Sequence, residues 1–371
     1  MIPAIAYEPL YSILVTILTF TMYSRYAVVN ESYSELDDDS SPFSYSAGMI
    51  PLLVIFLAIY IGTRPNSVVF VDMMNTVEYY YTFYEGVPFY WDSQTENFLY
   101  DNFLSWCGSM RLGTSFFFTV IAFIYFGCSY LGIRRMFPNH TALVYLAFLG
   151  AFSTFSYATN GVKAGSAASI FIWAISYYKE WKYCIPLLIV SYGFHHSMQM
   201  PIVAFLFSAL WRNTKHFFWG WAFCFLCAAA HVTYFQELFA GMTDEQGIGY
   251  LNSVGEDWGG GTGFRIDFIL YSAVPIVIGY IAIFRLGIQS AFYEVLLKLY
   301  LLTNGVWMLC MYAAFTNRIA YLSWSLYPIV LLYPLLNEDW GIGQYRLAAR
   351  VLLGHLAFTL FMAYIYYNLI R

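Results

Sequence analysis

Apolar residues in this chain come in long runs, separated by stretches that hold nearly all of the charge. The runs lie at 9–24, 45–62, 113–131, 141–158, 163–178, 183–195, 198–211, 216–238, 266–285, 291–315, 319–336 and 347–369. A helix needs about 20 mostly apolar residues to cross a bilayer, and most of these runs reach or approach that length. Lipid offers backbone N–H and C=O groups no partners, so a chain crosses it as helices or as a closed barrel. No run shows the sustained alternation of a barrel strand, which excludes the barrel. The pattern predicts an all-α, polytopic integral membrane protein: a single membrane domain over residues 1–371 with about 12 transmembrane or re-entrant helices. The runs at 183–195 and 198–211 are short, which points to tilted helices or to segments that dip into the protein.

Composition agrees. The chain is 60% hydrophobic and 11% charged, with a mean hydropathy of +0.59; soluble domains carry about 25% charged residues. The net charge of −5 comes with no basic patch, so nucleic acid is not an expected partner. The opening MIPAIAYEPL has neither a basic n-region nor a small-residue cleavage site, so the first run reads as a retained helix rather than a signal peptide. Most of the cysteines lie inside apolar runs, and the Cys224–Cys227 pair has no second ligand pair to make it a zinc or redox motif. These cysteines are expected to pack.

Lysines and arginines give an orientation. If every run crosses, one set of connections holds ten of them, including Arg25, Arg134, Arg135, Lys179, Lys182, Arg346 and Arg350. The other set holds six: Arg64, Arg111, Lys163, Arg265, Arg318 and Arg371. The richer side is predicted to be cytoplasmic. The opposite, outward side then carries both long loops, 64–112 and 239–265, and the segment Gly193-Phe194-His195-His196-Ser197.

The candidate chemistry collects on that outward side. In the first loop, Asp72, Asn75, Thr76 and Tyr79 recur at i, i+3, i+4 and i+7, one polar stripe on an otherwise apolar helix. Asn66 or Ser67 would cap it, and Gly86 and Pro88 would end it. Such a helix either lies at the interface without chemistry or turns its stripe towards a cavity. Further along, FYWDSQTENFLYDNFLSW mixes aromatics with acids and amides. Rings there, Trp91 among them, fit an aromatic belt and equally a sugar cleft, in which ring faces stack on sugars while acids and amides bond hydroxyls.

Lys163 follows Asn160-Gly161 and opens a run rich in small residues, against the helix dipole; an anionic ligand would resolve that conflict. Arg265 closes the glycine-rich VGEDWGGGTGFR, which lacks the GK[ST] of a phosphate loop and reads as an outward flap. Arg318 opens a late run. Ionisable groups near membrane depth usually face a cavity and mark a site. Four cations, Arg64, Lys163, Arg265 and Arg318, together with His195 and His196, suit a phosphate or diphosphate, for which arginine offers a planar fork. Adjacent helical histidines diverge by about 100°, so neither a metal nor any other cofactor is expected. A polar turn between two helices is the plain alternative for His195 and His196.

The order of these motifs resembles a known family. An arginine after the second run, then RPNSVVFVDMMNTVEYY, then TNGVKAGSAASIF, then FHHSMQMPI, then TNRIAYLSWSLYPIVLLYP are similar to the EpsG-like branch of the Wzy-type bacterial O-antigen, capsule and exopolysaccharide polymerases, over roughly 45–336. The resemblance implies a glycosyltransferase of the bacterial inner (cytoplasmic) membrane with its active site on the periplasmic or outer face. It would move a growing glycan from undecaprenyl diphosphate to a lipid-linked repeat unit, with membrane lipid around it and a chain-length regulator protein as a further partner. It carries the family's arginine and aspartate onto Arg64 and Asp72, its Phe-His-x-Ser histidine onto His195, and its late arginine onto Arg318. One departure stands out: where the family usually reads Asn-x-Ile-Arg-Gln, this chain has Asn160-Gly161-Val162-Lys163-Ala164. The expected roles are then catalytic for His195, Asp72 and Arg318, with either His195 or Asp72 as base. Arg64, Lys163, Arg265, Tyr79, Trp91 and His196 are expected to bind substrate.

Two other classes fit parts of the pattern. A transporter or flippase of lipid-linked oligosaccharide would also need many spans and buried charge, but its charges belong near midplane and its halves often repeat; residues 1–185 and 186–371 show no repeat. A membrane acyltransferase would share the lone histidine but does not call for so many cations beside aromatics. The acidic stretch 31–42 is given no role.

Overall fold

The computed structural model describes residues 2–29, 48–240, 263–313 and 316–366. The acidic stretch 31–42, most of the glycine-rich segment and Arg371 lie outside these. Among the described residues there are helices and no strands, and they fall into two compact units, residues 1–195 with 341–371, and residues 196–340.

The first unit contains α1 (Tyr7–Tyr26), α2 (Ile50–Gly62), α3 (Val71–Tyr79), α4 (Phe98–Ser109), α5 (Thr114–Met136), α6 (Thr141–Leu149), α7 (Thr154–Thr159), α8 (Val162–Ile175) and α9 (Trp181–Phe194). The second has α10 (Gln199–Leu210), α11 (Thr214–Ala229), α12 (Tyr234–Ala240), α13 (Ile266–Tyr280), α14 (Ala291–Leu309), α15 (Asn317–Trp324) and α16 (Tyr327–Asn337), and α17 (Gln344–Phe361) returns to the first.

Among the described residues, five helical stretches are long and apolar enough to cross a membrane: Ala4–Tyr26, Thr114–Met136, Ile266–Arg285, Asn317–Asn337 and Gln344–Tyr366. The chain is thus a membrane protein whose described residues are helical without strands, but the other expected spans are shorter, are interrupted or, like the 19-residue α14, fall outside this set. α8 has 14 residues, about 21 Å at 1.5 Å per residue, against a hydrocarbon core of about 30 Å. The run 141–158 is cut into α6 and α7 at Gly150–Ser153, and the run 216–238 into α11 and α12. Summed apolarity does not reveal these cuts, because the few small or polar residues at them, Gly150 and Ser153 in one and His231 and Thr233 in the other, are averaged into long apolar runs.

A break inside an apolar bundle frees carbonyls that lipid cannot satisfy, so it persists only where protein supplies partners. Here the Phe148 carbonyl accepts from the Thr154 hydroxyl, the Leu149 carbonyl from Tyr11 Oη at 2.7 Å, and the Ala147 carbonyl lies 3.1 Å from His355 Nε2. Partners from α1 and α17 therefore close the gap left in α6.

α5 is the centre of the first unit, packed between α2 and α8. Small residues let the backbones approach: a Cβ on Gly62 would fall 2.3 Å from the Thr119 Cα, and one on Gly132 would fall 2.9 Å from the Ile172 backbone. Because Thr119 backbone cannot yield as a side-chain tip can, Gly62→Ala is expected to destabilise by at least the usual overpacking cost of about 1–3 kcal/mol. A thermal melt in detergent checks this, with Gly354→Ala, where a Cβ meets nothing within 4 Å, as the control.

The first unit has two chemically distinct ends. At one, Tyr26 Oη lies 2.9 Å from His140 Nδ1, Arg346 Nε donates to the Ala27 carbonyl at 3.1 Å, and Arg135 pairs with Glu180. This end gathers the α1 and α5 C-termini and the α17 N-terminus, with the basic residues expected on the cytoplasmic side. The other end carries the α2 C-terminus, tied to the start of α1 by Tyr60 Oη donating to the Tyr7 carbonyl at 2.9 Å.

Candidate functional site

That second end is where the sequence candidates of the first unit meet. Arg64 follows α2 directly and is only 2% exposed. Its Nη1 donates to the Ile61 carbonyl and its Nη2 to the Thr159 carbonyl, both at 2.8 Å. These acceptors close α2 and α7, so the guanidinium sits against the negative ends of two helix dipoles. The Phe118 and Phe70 rings flank it at 4.8 and 5.4 Å, a cation–π sandwich. Burial pulls its pKa down to about 10, still well above neutrality, so it stays charged without a carboxylate in salt-bridge range among the described residues. The fork expected to grip phosphate is instead spent on protein carbonyls. Arg64 fixes the α7–α8 junction, and with it Asn160-Gly161-Val162-Lys163.

Lys163 is the second residue of α8. Its Nζ donates to Asp101 Oδ1 at 3.2 Å and lies 5.0 Å from the centroid of the Tyr100 ring. The pair is partly open, with side chains 38% and 20% exposed, so solvent screens it and its contribution to stability is small. The Asp101 carboxylate offsets the conflict between the Lys163 charge and the α8 dipole.

Tyr100 is the hub of this end. It is fully buried, and its hydroxyl lies against Thr76 without meeting a partner in hydrogen-bond geometry. Burial raises its pKa; Thr76 and the Arg64 charge work against the rise, while the Asp101 and Asp72 charges add to it. Arg64, Asp72, Asp101 and Lys163 thus share one electrostatic environment around a single ring. Asn160 Oδ1 and Arg64 Nε are also buried without a partner.

The polar stripe of α3 divides. Met73, Thr76 and Val77 are buried, Asp72 is half-buried and Asn75 exposed. Tyr79 is 55% exposed and rests on Phe83, ring centroids 5.4 Å apart. Asp72 and Thr76 turn inward, whereas Asn75 and Tyr79 turn away. Neither Asn66 nor Ser67 caps the helix: α3 begins at Val71 without a side-chain cap, because the Ser67 hydroxyl is taken by the Val69 N–H at 3.3 Å.

α4, which the hydropathy pattern does not predict, supplies Tyr100, Asp101 and Asn102. The signal was present: Tyr100, Leu104 and Cys107 are buried at i, i+4 and i+7. Acids and amides between the aromatics concealed it. Asn102 organises the preceding loop, its Oδ1 accepting from the Asp92 N–H at 2.8 Å and its Nδ2 donating to the Asp92 carbonyl at 2.6 Å. Trp91, one residue earlier, stays 57% exposed, an outward ring on a pinned loop. Replacing Asn102 by alanine leaves both Asp92 backbone groups without that partner, at about 1–3 kcal/mol for each one that stays buried. Faster amide exchange and proteolysis confined to residues 90–95 are expected.

His195 ends α9 in extended conformation, at φ −154° and ψ 123°. Ser191 Oγ, one turn earlier, donates to the Ala167 carbonyl at 2.7 Å, and Ala167 lies one turn after Lys163. α8 and α9 are antiparallel neighbours, so this bond places His195 and Lys163 at the same end. Gly193 seats α9 on α4: a Cβ there would fall 2.7 Å from Leu99 Cδ1 and Phe98 Cζ. α4, α8 and α9 therefore bring Asp101, Lys163 and His195 to one end of the first unit.

The remaining candidates belong to the second unit, whose boundary with the first falls at the His195–His196 peptide bond. His196 opens a 3-10 turn and its Nε2 lies 3.4 Å from Gln199 Nε2. Arg265 is engaged by Asp267, Nε to Oδ1 at 3.0 Å and Nη2 to Oδ2 at 2.7 Å, and its Cζ lies 4.5 Å from the Phe268 ring centroid. Its fork, too, is occupied. Arg318 is the second residue of α15 and is exposed. Gly263 and Arg265 reach Met311 just beyond α14, so the starts of α13 and α15 lie at the same end of this unit.

The cysteines of the described residues are unpaired thiols. The Cys224 sulfur would meet a Cβ on Gly305 at 3.2 Å, the packing role expected of it. Among the described residues no three His, Cys, Asp or Glu side chains are arranged to hold a metal ion.

No curated protein and no solved structure matches this chain. A match does come from a family profile, and it spans residues 48–370, which takes in Arg64, the Tyr100 hub, both histidines and Arg318. The chain belongs to the EpsG family.

Proposed function

We propose that this chain is an exopolysaccharide polymerase, a membrane glycosyltransferase that extends a glycan carried on undecaprenyl diphosphate. The observation that carries it is the convergence of Arg64, Asp72, Asp101 and Lys163 on Tyr100, at the end of the first unit that also holds His195. In the proposed reaction the hydroxyl oxygen of a lipid-linked repeat unit bonds to the anomeric carbon of the growing glycan. The bond from that carbon to the diphosphate breaks, and the diphosphate leaves with the electron pair. The hydroxyl proton passes to His195 or Asp72; an imidazole titrates near neutrality, while carboxylates are the usual bases of sugar chemistry.

Lys163 stabilises the departing charge. Arg64 acts through position, holding the α7–α8 junction that presents Lys163. Trp91 and Tyr79, exposed beside the site, offer ring faces to sugars. The site is placed on the outer face of the bacterial inner membrane, with the basic end of the first unit in the cytoplasm. A transporter reading has less support, because the candidates of the first unit sit at one end rather than mid-bundle.

The test is deletion of the gene in its native host, followed by gel analysis of the surface polysaccharide. Collapse of the polymer ladder to a single lipid-linked repeat unit is expected, with recovery on complementation by the wild-type chain. An unchanged ladder would refute the proposal. Complementation with His195→Ala and Asp72→Asn then separates the two bases, since the true base gives no recovery.

A further inference from the structure

The second unit holds a polar cluster that the proposed reaction does not use. Gln236 on α12 is 1% exposed, and both its Nε2 and its Oε1 are buried without a hydrogen-bond partner. Thr316 Oγ1, on a residue 4% exposed, and Asn317 Oδ1 are buried without partners as well. The two groups are brought together by packing: Phe239, one turn after Gln236, and Ile319, one turn after Thr316, lie against the same buried pair, Cys310 and Ala313. Arg318 follows immediately and is exposed.

Native proteins leave few buried polar groups unsatisfied, because each costs the full desolvation of the group. A leucine at 236 would fill similar space without that cost. A buried amide kept against stability is the mark of a functional position. Its chemistry defines the ligand. The amide offers donors and an acceptor, the threonine hydroxyl both, and the asparagine oxygen an acceptor, a neutral set. Vicinal hydroxyls of a sugar ring present the complementary set, each both donor and acceptor.

We propose that Gln236, Thr316 and Asn317 form a subsite that binds the hydroxyls of a neutral sugar ring in the glycan. The inference rests on the polymerase reading and names a part of the substrate that reading leaves unassigned. Sites built to hydrogen-bond a hydroxyl reject analogues lacking it, because their own buried groups are then left unpaired. Gln236 would in this way help select the repeat unit.

The test uses the full chain in lipid nanodiscs. The probe is the free oligosaccharide released from the host's lipid-linked repeat units by mild acid and phosphatase, followed by tryptophan fluorescence. Gln236→Leu is expected to raise the melting temperature without ligand and to weaken oligosaccharide binding about tenfold or more. Thr316→Val, nearly the same shape, is expected to weaken binding in the same direction and guards against a folding effect at 236. Absence of binding by the wild type, unchanged binding by both variants, or a lowered melting temperature for Gln236→Leu would each overturn the subsite. The last would give the amide a structural partner, and unchanged binding would assign it to bound water. If the deletion strain keeps its ladder, the polymerase reading itself fails; if the ladder depends on the chain but Gln236→Leu binds as the wild type does, only the subsite fails.

Discussion

Lys163→Met is expected to cut polymer synthesis by about a hundredfold or more while leaving the chain folded, the usual scale for losing one group that stabilises departing charge. The pair with Asp101 is partly exposed, so breaking it costs the fold little; the loss falls on chemistry. Lys163→Arg is expected to retain most activity, since it keeps the charge and adds the fork found at the matching position of the family's pattern. Asp101→Asn leaves the lysine charged but unanchored, and a smaller loss, about tenfold, is expected from misplacement. The readout is polymer yield in the complemented deletion strain, normalised to membrane-inserted protein. A Lys163→Met strain with a full ladder would remove Lys163 from the mechanism, and a Lys163→Arg strain as inactive as Lys163→Met would show that the ammonium's shape matters rather than its charge.

Arg64→Met, by contrast, is expected to remove the folded protein itself. Two helix-end carbonyls lose charged donors at 2.8 Å, and two aromatic rings lose the cation between them. At about 1–3 kcal/mol for each acceptor left buried and unpaired, plus the lost cation–π contacts, the cost reaches about 3–5 kcal/mol. Domains are stable by only about 5–15 kcal/mol. Lysine at 64 rescues only in part, because one ammonium lacks the planar fork that spans two carbonyls. Size-exclusion profiles and melting in detergent check the prediction. A variant that melts as the wild type does but makes no polymer would move Arg64 from the scaffold to the substrate.

The helical membrane character was legible because it depends on summed apolarity, which a chain displays openly. The basic residues that gather around Arg135, His140 and Arg346 were legible as one set for the same reason. What the sequence concealed depends on where single side chains spend their hydrogen bonds. Arg64 and Arg265 read as free forks, yet one is closed by Ile61 and Thr159 carbonyls and the other by Asp267. Asp101 is one of several acids and amides in FYWDSQTENFLYDNFLSW, and only the helical turn of α4 sets it against Lys163. Asp72 is legible through its helical stripe, but not how the stripe divides, with Asp72 and Thr76 turned inward and Asn75 and Tyr79 outward, as happens when an amphipathic helix packs on one edge. Helix breaks escaped notice because hydropathy averages over them.

The break between α6 and α7 also bears on how the chain is made. Of the side chains that close it, Tyr11 is synthesised before α6 and Thr154 just after it, whereas His355 emerges only with the last helix. While the ribosome is still elongating, the Ala147 carbonyl has no such partner, and the bilayer supplies none. The nascent bundle must stay sheltered by the insertion machinery, or held in a wetter arrangement, until the C-terminus arrives. A chain truncated before α17 would carry every residue of the Tyr100 hub and still leave the Ala147 carbonyl without its His355 partner.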